Sequence, residues 1–221
     1  MKKRWLFSVL IVGLFLSGCM AAGGKAIAGE KAKTQNGNKI ALSLKPVRKY
    51  ARVLDETSLP GNMLRNSDFK APLSKAVPKK DGSVNTQGSW VFYPNHGGAG
   101  NCKLENGMAK ITPTKVDCPD YGIQLIQAPV VVEKGATYVI SFDAYAAKPR
   151  SITVKIGGIE NREWKAYSTE KVIKISTKRK TYKFSFTMKD ATDRNARFEF
   201  WFATGQNPAP VWVTNAQMYK K

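Results

Sequence analysis

Residues 121–156 read YGIQLIQAPVVVEKGATYVISFDAYAAKPRSITVKI, and this stretch decides the fold. From Ala136 to Ala146 the residue types alternate. Tyr138, Ile140, Phe142, Ala144 and Ala146 fall on one face; Val139, Ser141, Asp143 and Tyr145 fall on the other. Ser151 to Ile156 repeats the pattern, with Ile152, Val154 and Ile156 inward. Successive side chains of a strand point to opposite sides, so period-two alternation marks a half-buried strand. Tyr121 to Gln127 is a third run, ended by Ala128-Pro129; Glu133-Lys134-Gly135 and Lys148-Pro149 punctuate the others. The stretch therefore predicts an antiparallel all-β domain.

The same reading extends in both directions. Toward the C-terminus, Lys171 to Ser176 alternates, as do Thr181 to Met188 (Tyr182, Phe184, Phe186, Met188) and Ala196 to Ala203 (Phe198, Phe200, Phe202); Val211 to Tyr219 is a last run. Toward the N-terminus, Ser89 to Tyr93 and Met108 to Thr112 are shorter candidates. No stretch reads as a long amphipathic helix. Nine or ten short strands at turn-punctuated intervals predict one β-sandwich, a jelly roll, over residues 62–221. That length is ample for a single core.

The start of the chain reads as a targeting device. Lys2, Lys3 and Arg4 precede an apolar run from Trp5 to Leu16, which is too short to cross a bilayer and has the build of a secretory signal. The run ends in Leu16-Ser17-Gly18-Cys19. This resembles the bacterial lipobox, which implies a signal peptide over residues 1–18, a lipid on Cys19 and anchorage in the bacterial cell envelope without a spanning helix. An ordinary signal peptide cut near Ala21-Ala22 is the alternative. Residues 19–61 are small, polar and basic, with 8 Lys and Arg against 3 acids, and read as a flexible spacer. Ile40 to Leu44 is either part of that arm or an edge strand docked on the domain.

Cysteine usage fits export. With Cys19 set aside, Cys102 and Cys118 remain, and an even remainder in an exported chain points to a disulfide. A metal site built from these two and His96 is the alternative, without Cys-x-x-Cys spacing to support it. Charge is the other strong compositional feature. The chain carries 36 Lys and Arg against 16 acids, a formal charge of +20. Residues 62–221 hold 25 basic and 13 acidic residues. Such an excess favours anionic partners. For an exported chain these are envelope polymers, acidic polysaccharides or a membrane surface rather than nucleic acid. The alternative is that outward lysines, concentrated in residues 171–183 and at Lys220-Lys221, protect sheet edges.

Catalysis has little support. His96 is the single histidine and lies in Asn95-His96-Gly97-Gly98-Ala99-Gly100, which lacks the lysine of a phosphate loop. No serine sits in a nucleophile elbow. Asp143 and Glu199 are the one carboxylate pair that could face a common cleft in the manner of a glycosidase. The expectation is that the protein is not an enzyme.

Several motifs resemble those of family 4/9-type carbohydrate-binding modules. Asn62-Met63-Leu64-Arg65-Asn66-Ser67-Asp68-Phe69 is similar to their opening, and Trp90 stands where an early tryptophan is expected. Ile123-Gln124-Leu125-Ile126-Gln127 and Glu133-Lys134-Gly135-Ala136-Thr137-Tyr138, followed by Ser141-Phe142-Asp143-Ala144, match their middle strands. Residues 180–188 and 196–200 follow in order. The resemblance spans about residues 62–220 and implies a jelly roll whose concave sheet binds a β-glucan or xylan chain in a cleft. Such modules often hold a structural calcium. Here Lys70 and Val213-Thr214-Asn215 stand where acids are expected, so no cofactor is anticipated.

A sugar ring offers apolar faces and equatorial hydroxyls, so its binder needs aromatic platforms and polar partners on strand faces turned away from the core. Those positions are Asp143 and Tyr145 on one run, and Arg197, Glu199 and Trp201 opposite the phenylalanine stripe on another. Gln124 alternates with Ile123 and Leu125. Tyr121 holds the place of an aromatic that lines the cleft in the family. Trp164 and Tyr167 lie between strands, where they either wall the cleft or fold under a loop. The predicted function is non-catalytic polysaccharide binding at the cell surface, beside a separate glycoside hydrolase or alone. The alternative is an envelope protein using the same fold to contact an anionic polymer or a protein.

Overall fold

A computed structural model describes residues 61–221. The stretches read as a signal peptide, a lipobox at Cys19, a spacer and an edge strand at Ile40 to Leu44 all lie outside the described residues. Ten strands run in chain order: β1 (Val91–Pro94), β2 (Ala99–Glu105), β3 (Met108–Lys115), β4 (Ile123–Val132), β5 (Thr137–Ala146), β6 (Arg150–Gly157), β7 (Lys171–Ile175), β8 (Lys180–Thr187), β9 (Asp193–Trp201) and β10 (Val211–Lys220). They form two five-stranded antiparallel sheets, ordered β1-β4-β9-β6-β7 and β2-β3-β10-β5-β8. The domain is the all-β jelly-roll sandwich that the alternation predicts.

The inward residues of both sheets fill the space between them. Tyr138, Ile140 and Phe142 of β5 are fully buried, as are Ile152, Val154 and Ile156 of β6 and the Phe198, Phe200, Phe202 stripe. Trp90 sits at the centre of this layer, 5.7 Å from Phe198 and 5.8 Å from Phe200 between ring centroids. Its indole N–H donates to the Asn66 carbonyl at 3.1 Å. The segment before it closes the sandwich: Leu64 and Phe69 are core residues, and Met63 N–H donates to the Met218 carbonyl at 2.8 Å.

Three expectations need correction. β4 does not stop at Ala128-Pro129 but runs on to Val132. Proline has no N–H to give a ladder, and the pairing of β4 with β9 skips these two residues, so the strand continues past a local irregularity. Second, the glycine-rich stretch Asn95 to Gly100 leads at Ala99 into a strand, Ala99–Glu105, that the alternation does not announce. Asn106 and Gly107, both at positive φ, turn β2 into β3 with Glu105 opposite Met108.

Third, Cys102 and Cys118 are not bonded to each other. Cys102 lies on β2 opposite Ile111, packed against the core. Cys118 lies beside Gly98 and Gly122, beyond the far end of that hairpin. Four strand positions separate Gly98 from Cys102, about 13 Å of rise, whereas a disulfide needs Cα atoms within about 7 Å. Nor do the described residues hold any cluster of three His, Cys, Asp or Glu side chains placed for a metal. The donor set at the family's calcium position fits poorly, because Lys70 Nζ is 2.8 Å from Asp68 Oδ2 and brings a cation where calcium would sit.

Candidate functional site

The outer face of the β1-β4-β9-β6-β7 sheet is not left flat. Residues 72–89 cross it, tied by Ser74 N–H to the Trp90 carbonyl (2.7 Å) and Thr86 N–H to the Ala128 carbonyl (3.0 Å). Val84 packs there on Ile126 and Ala128 in a small second cluster. From the other side the loop between β6 and β7 folds over the sheet. Between these two covers lies a cavity of about 690 Å³, floored by β4, β9 and β6.

The floor is built by alternation. On β9, Phe198 and Phe200 point into the core, so Arg197, Glu199 and Trp201 must point into the cavity. β4 lies on one side, with Gln124 opposite Trp201, and β6 on the other, with Lys155 opposite Glu199. One polar chain joins these residues. Gln124 Nε2 donates to the Tyr121 carbonyl (2.8 Å), Arg197 Nη2 to Gln124 Oε1 (2.5 Å), and Trp201 Nε1 to Glu199 Oε2 (2.7 Å). Arg197 Nε lies 3.2 Å from Glu199 Oε1, within ion-pair distance but not aligned as a hydrogen bond. Among the described residues, two buried side-chain polar atoms have no hydrogen-bond partner, this Nε and Asn95 Oδ1. Both belong to residues that line the cavity.

Aromatic rings stand around the same space. Tyr121 meets Trp201 edge-on at 5.7 Å and His96 at 5.2 Å. Tyr121 and Trp164 are two of the four large hydrophobic side chains that remain well exposed among the described residues, 39% and 43%, and they flank the nearly buried Trp201. Trp164 rests directly on Gly82: a Cβ at that glycine would lie 2.1 Å from the indole ring. Lys155 Nζ donates to the Trp164 carbonyl (2.7 Å) and lies 5.3 Å from the Trp201 ring. The Arg197 guanidinium lies 5.9 Å from the Trp164 ring.

Six of the eight residues expected for binding thus meet in one cavity: Trp201, Tyr121, Gln124, Glu199, Arg197 and Trp164. Asp143 and Tyr145 do not join them. Both lie on β5, in the opposite sheet, where alternation points them outward on the other side of the molecule. Tyr145 stacks on its cross-strand neighbour Trp212 at 4.8 Å, with Lys110 Nζ 4.9 Å from the Trp212 ring. Asp143 accepts from Arg179, Thr181 and Asn215. These donors outweigh burial, which alone would raise its pKa, and hold the carboxyl below its ordinary value. Asp143 and Glu199 therefore form no carboxylate pair. Tyr167 folds under its loop and donates its hydroxyl to Asp193 at 2.8 Å.

Sequence reasoning missed Lys155, Lys79, Lys80, Tyr93 and Glu170 as cavity residues. Lys155 was open to discovery, since it alternates with Val154 and Ile156 and must face away from the core. Tyr93 lies on the short strand β1, opposite Gln124, while Lys79, Lys80 and Glu170 sit on irregular segments, where no periodicity assigns a direction.

Comparison with known proteins agrees with this architecture. A family model described as carbohydrate binding domain matches residues 61–209. A solved CBM4 structure is 21% identical, covers 72% of this chain and 99% of its own, and superposes with a TM-score of 0.57. A sugar-binding protein from Bacteroides thetaiotaomicron is similar at 14% identity, covering 72% of this chain and all of its own, with a TM-score of 0.52. An arabinose-bound α-L-arabinofuranosidase matches over 75% of this chain but only 27% of its own, at 11% identity and a TM-score of 0.51. At such identities the solved structures speak for the fold alone. Among the curated proteins, none matches.

Proposed function

The chain belongs to the carbohydrate binding domain family matched over residues 61–209, and from that premise we propose that its cavity binds a polysaccharide chain without cleaving it. The observation that carries this reading is the meeting of Tyr121, Trp201 and Trp164 around one polar chain, Gln124–Arg197–Glu199. Sugar rings pack their C–H faces on the aromatic side chains, and their hydroxyls pair with the amide, guanidinium and carboxylate groups. The backbone proposed is of the β-glucan or xylan type.

The commitment of Glu199 to its two neighbours supports binding over hydrolysis. Glycosidases of the common kind need two carboxyl groups about 5 to 10 Å apart. Glu199 spends its two oxygens on Trp201 and Arg197, while Asp143 faces the opposite way. The lipobox-like Leu16-Ser17-Gly18-Cys19 supports a lipid on Cys19 and a place at the bacterial cell surface, with residues 19–61 as the spacer. There the domain would hold glycan for a separate glycoside hydrolase or for the cell itself.

Affinity electrophoresis of the purified protein tests the reading. Gels would contain laminarin, mixed-linkage β-glucan, xylan or glucomannan, at low and high salt. Retardation by one of these neutral chains, little changed by salt, is the expected result. Stacking and neutral hydrogen bonds are weakly screened, whereas exposed charge contacts fade beyond a Debye length of about 10 Å at 0.1 M. Free migration in every one of these gels, and in gels of an acidic polysaccharide as well, would refute the proposal.

A further inference from the structure

The cavity holds a cation that the neutral-sugar reading leaves unused. Lys155 is 5% exposed, and an ammonium carries three donors. Among the described residues its one polar partner is the carbonyl of Trp164, with the Trp201 ring beside it. Among the described residues no carboxylate lies within 4 Å of Lys155 Nζ. Glu199 stands opposite it in the ladder, yet its oxygens are turned to Arg197 and Trp201. Lys79 and Lys80 line the rim and also lack an ion-pair partner among the described residues, although Lys79 lies near Asp81. Glu170 is the remaining acid on the wall. A buried charge without an opposite charge is costly, and such groups are normally paired.

Resting on the proposed glycan-binding role of this cavity, we infer that its ligand is an acidic polysaccharide whose uronate carboxylate is held by Lys155. The ammonium sits beside Trp201. A sugar ring stacked there brings an equatorial substituent within reach of Nζ. A carboxylate at that point supplies the missing negative charge and accepts the two spare donors. A neutral hydroxymethyl group in the same place leaves the charge uncompensated. The lysines at the rim draw the polyanion in and are screened by salt; Lys155, inside, is screened far less.

The test sets acidic polymers beside the same polymers after chemical reduction of their carboxyl groups to alcohols. Glucuronoxylan, polygalacturonate, alginate and C6-oxidised β-glucan serve as the pairs. Apparent affinities come from retardation of the purified protein, of Lys155→Met, of Lys155→Arg and of Trp201→Ala, all at 0.15 M salt. The expected result is at least one pair in which the acid binds roughly tenfold more tightly than its reduced form, as one charge-assisted contact warrants. Lys155→Met brings that ratio close to one, and Lys155→Arg keeps most of it. Equal affinity for acid and reduced forms, both lost in Trp201→Ala, overturns the inference and leaves the glycan-binding role standing. An acid preference that survives in Lys155→Met overturns it too, by assigning the preference to surface cations. Failure of every acid and every reduced form to bind overturns both.

Discussion

Glu199 accepts the indole N–H of Trp201 at 2.7 Å while its other oxygen faces Arg197, so one buried carboxylate holds both the cavity's central aromatic ring and its guanidinium. The two residues are neighbours on one strand face, two positions apart on β9. Arg197 and Glu199 have side chains only 5% and 4% exposed. Glu199→Ala should therefore destabilise the fold by about 3 kcal/mol, because it strands a buried cation. Glu199→Gln keeps an acceptor for Trp201 and should cost distinctly less. Urea unfolding, with the midpoint and slope compared across the three proteins, decides this; equal midpoints would contradict it.

Gly82 carries the Trp164 wall. Its φ is +81°, and an added Cβ would meet the indole ring at 2.1 Å. Gly135 has the same φ with nothing within 4 Å. Alanine at either site pays the left-handed backbone penalty of about 1 kcal/mol. Only Gly82→Ala should also push Trp164 aside and weaken glycan binding. Paired thermal melts and affinity gels separate the two effects, and equal glycan affinity of the two variants would go against the account.

Both cysteines of the domain should be thiols. Burial pushes the Cys102 thiol up to about 12, which suppresses the reactive thiolate. The Cys118 thiol is raised as well, by burial first and then by Asp117, but it is less enclosed. Alkylation of the native protein at pH 8 should label Cys118 well ahead of Cys102, with Cys102 labelled only after unfolding. A Cys102–Cys118 linked peptide in a non-reducing digest would contradict the free-thiol state.

Asp143 ties three donors together on the far sheet, so its folded-state pKa is depressed. A depressed carboxyl contributes stability that is present above its unfolded value, near 3.8, and is lost as pH falls through the folded value. The gap in urea midpoint between the wild type and Asp143→Asn should be steady from pH 7 to about pH 5 and should shrink below about pH 4. A gap that stays constant to pH 3 would show that the carboxylate's charge contributes nothing.

The sandwich was legible in the sequence because period-two alternation reports directly on burial. Tyr138, Ile140 and Phe142, or Phe198, Phe200 and Phe202, name their own inward face. Of the hairpin, Met108 to Thr112 in β3 is legible but β2 is not, although Asn106-Gly107 is a strong turn signal, because the glycines at its start mask the strand. The floor of the cavity was half legible. Arg197, Glu199 and Trp201 follow from the phenylalanine stripe. Asp143 and Tyr145 follow from alternation with equal force, yet they lie on the other side. Alternation separates core from outside, but a sandwich has two outsides, and sheet membership depends on long-range pairing. The depth of the cavity was also hidden. Trp201 is 5% exposed because residues 72–89 and the loop bearing Trp164 cover it, and irregular segments carry no period.

The central claim is that glycan is bound in the cavity above β9 and not on the opposite sheet. The most direct measurement is the retardation of Trp201→Ala and of Tyr145→Ala beside the wild type, in whichever polysaccharide gel retards the wild type most. The account predicts that Trp201→Ala migrates freely while Tyr145→Ala is held like the wild type. Retention of Trp201→Ala with free migration of Tyr145→Ala would contradict it and move the site to the Tyr145–Trp212 face.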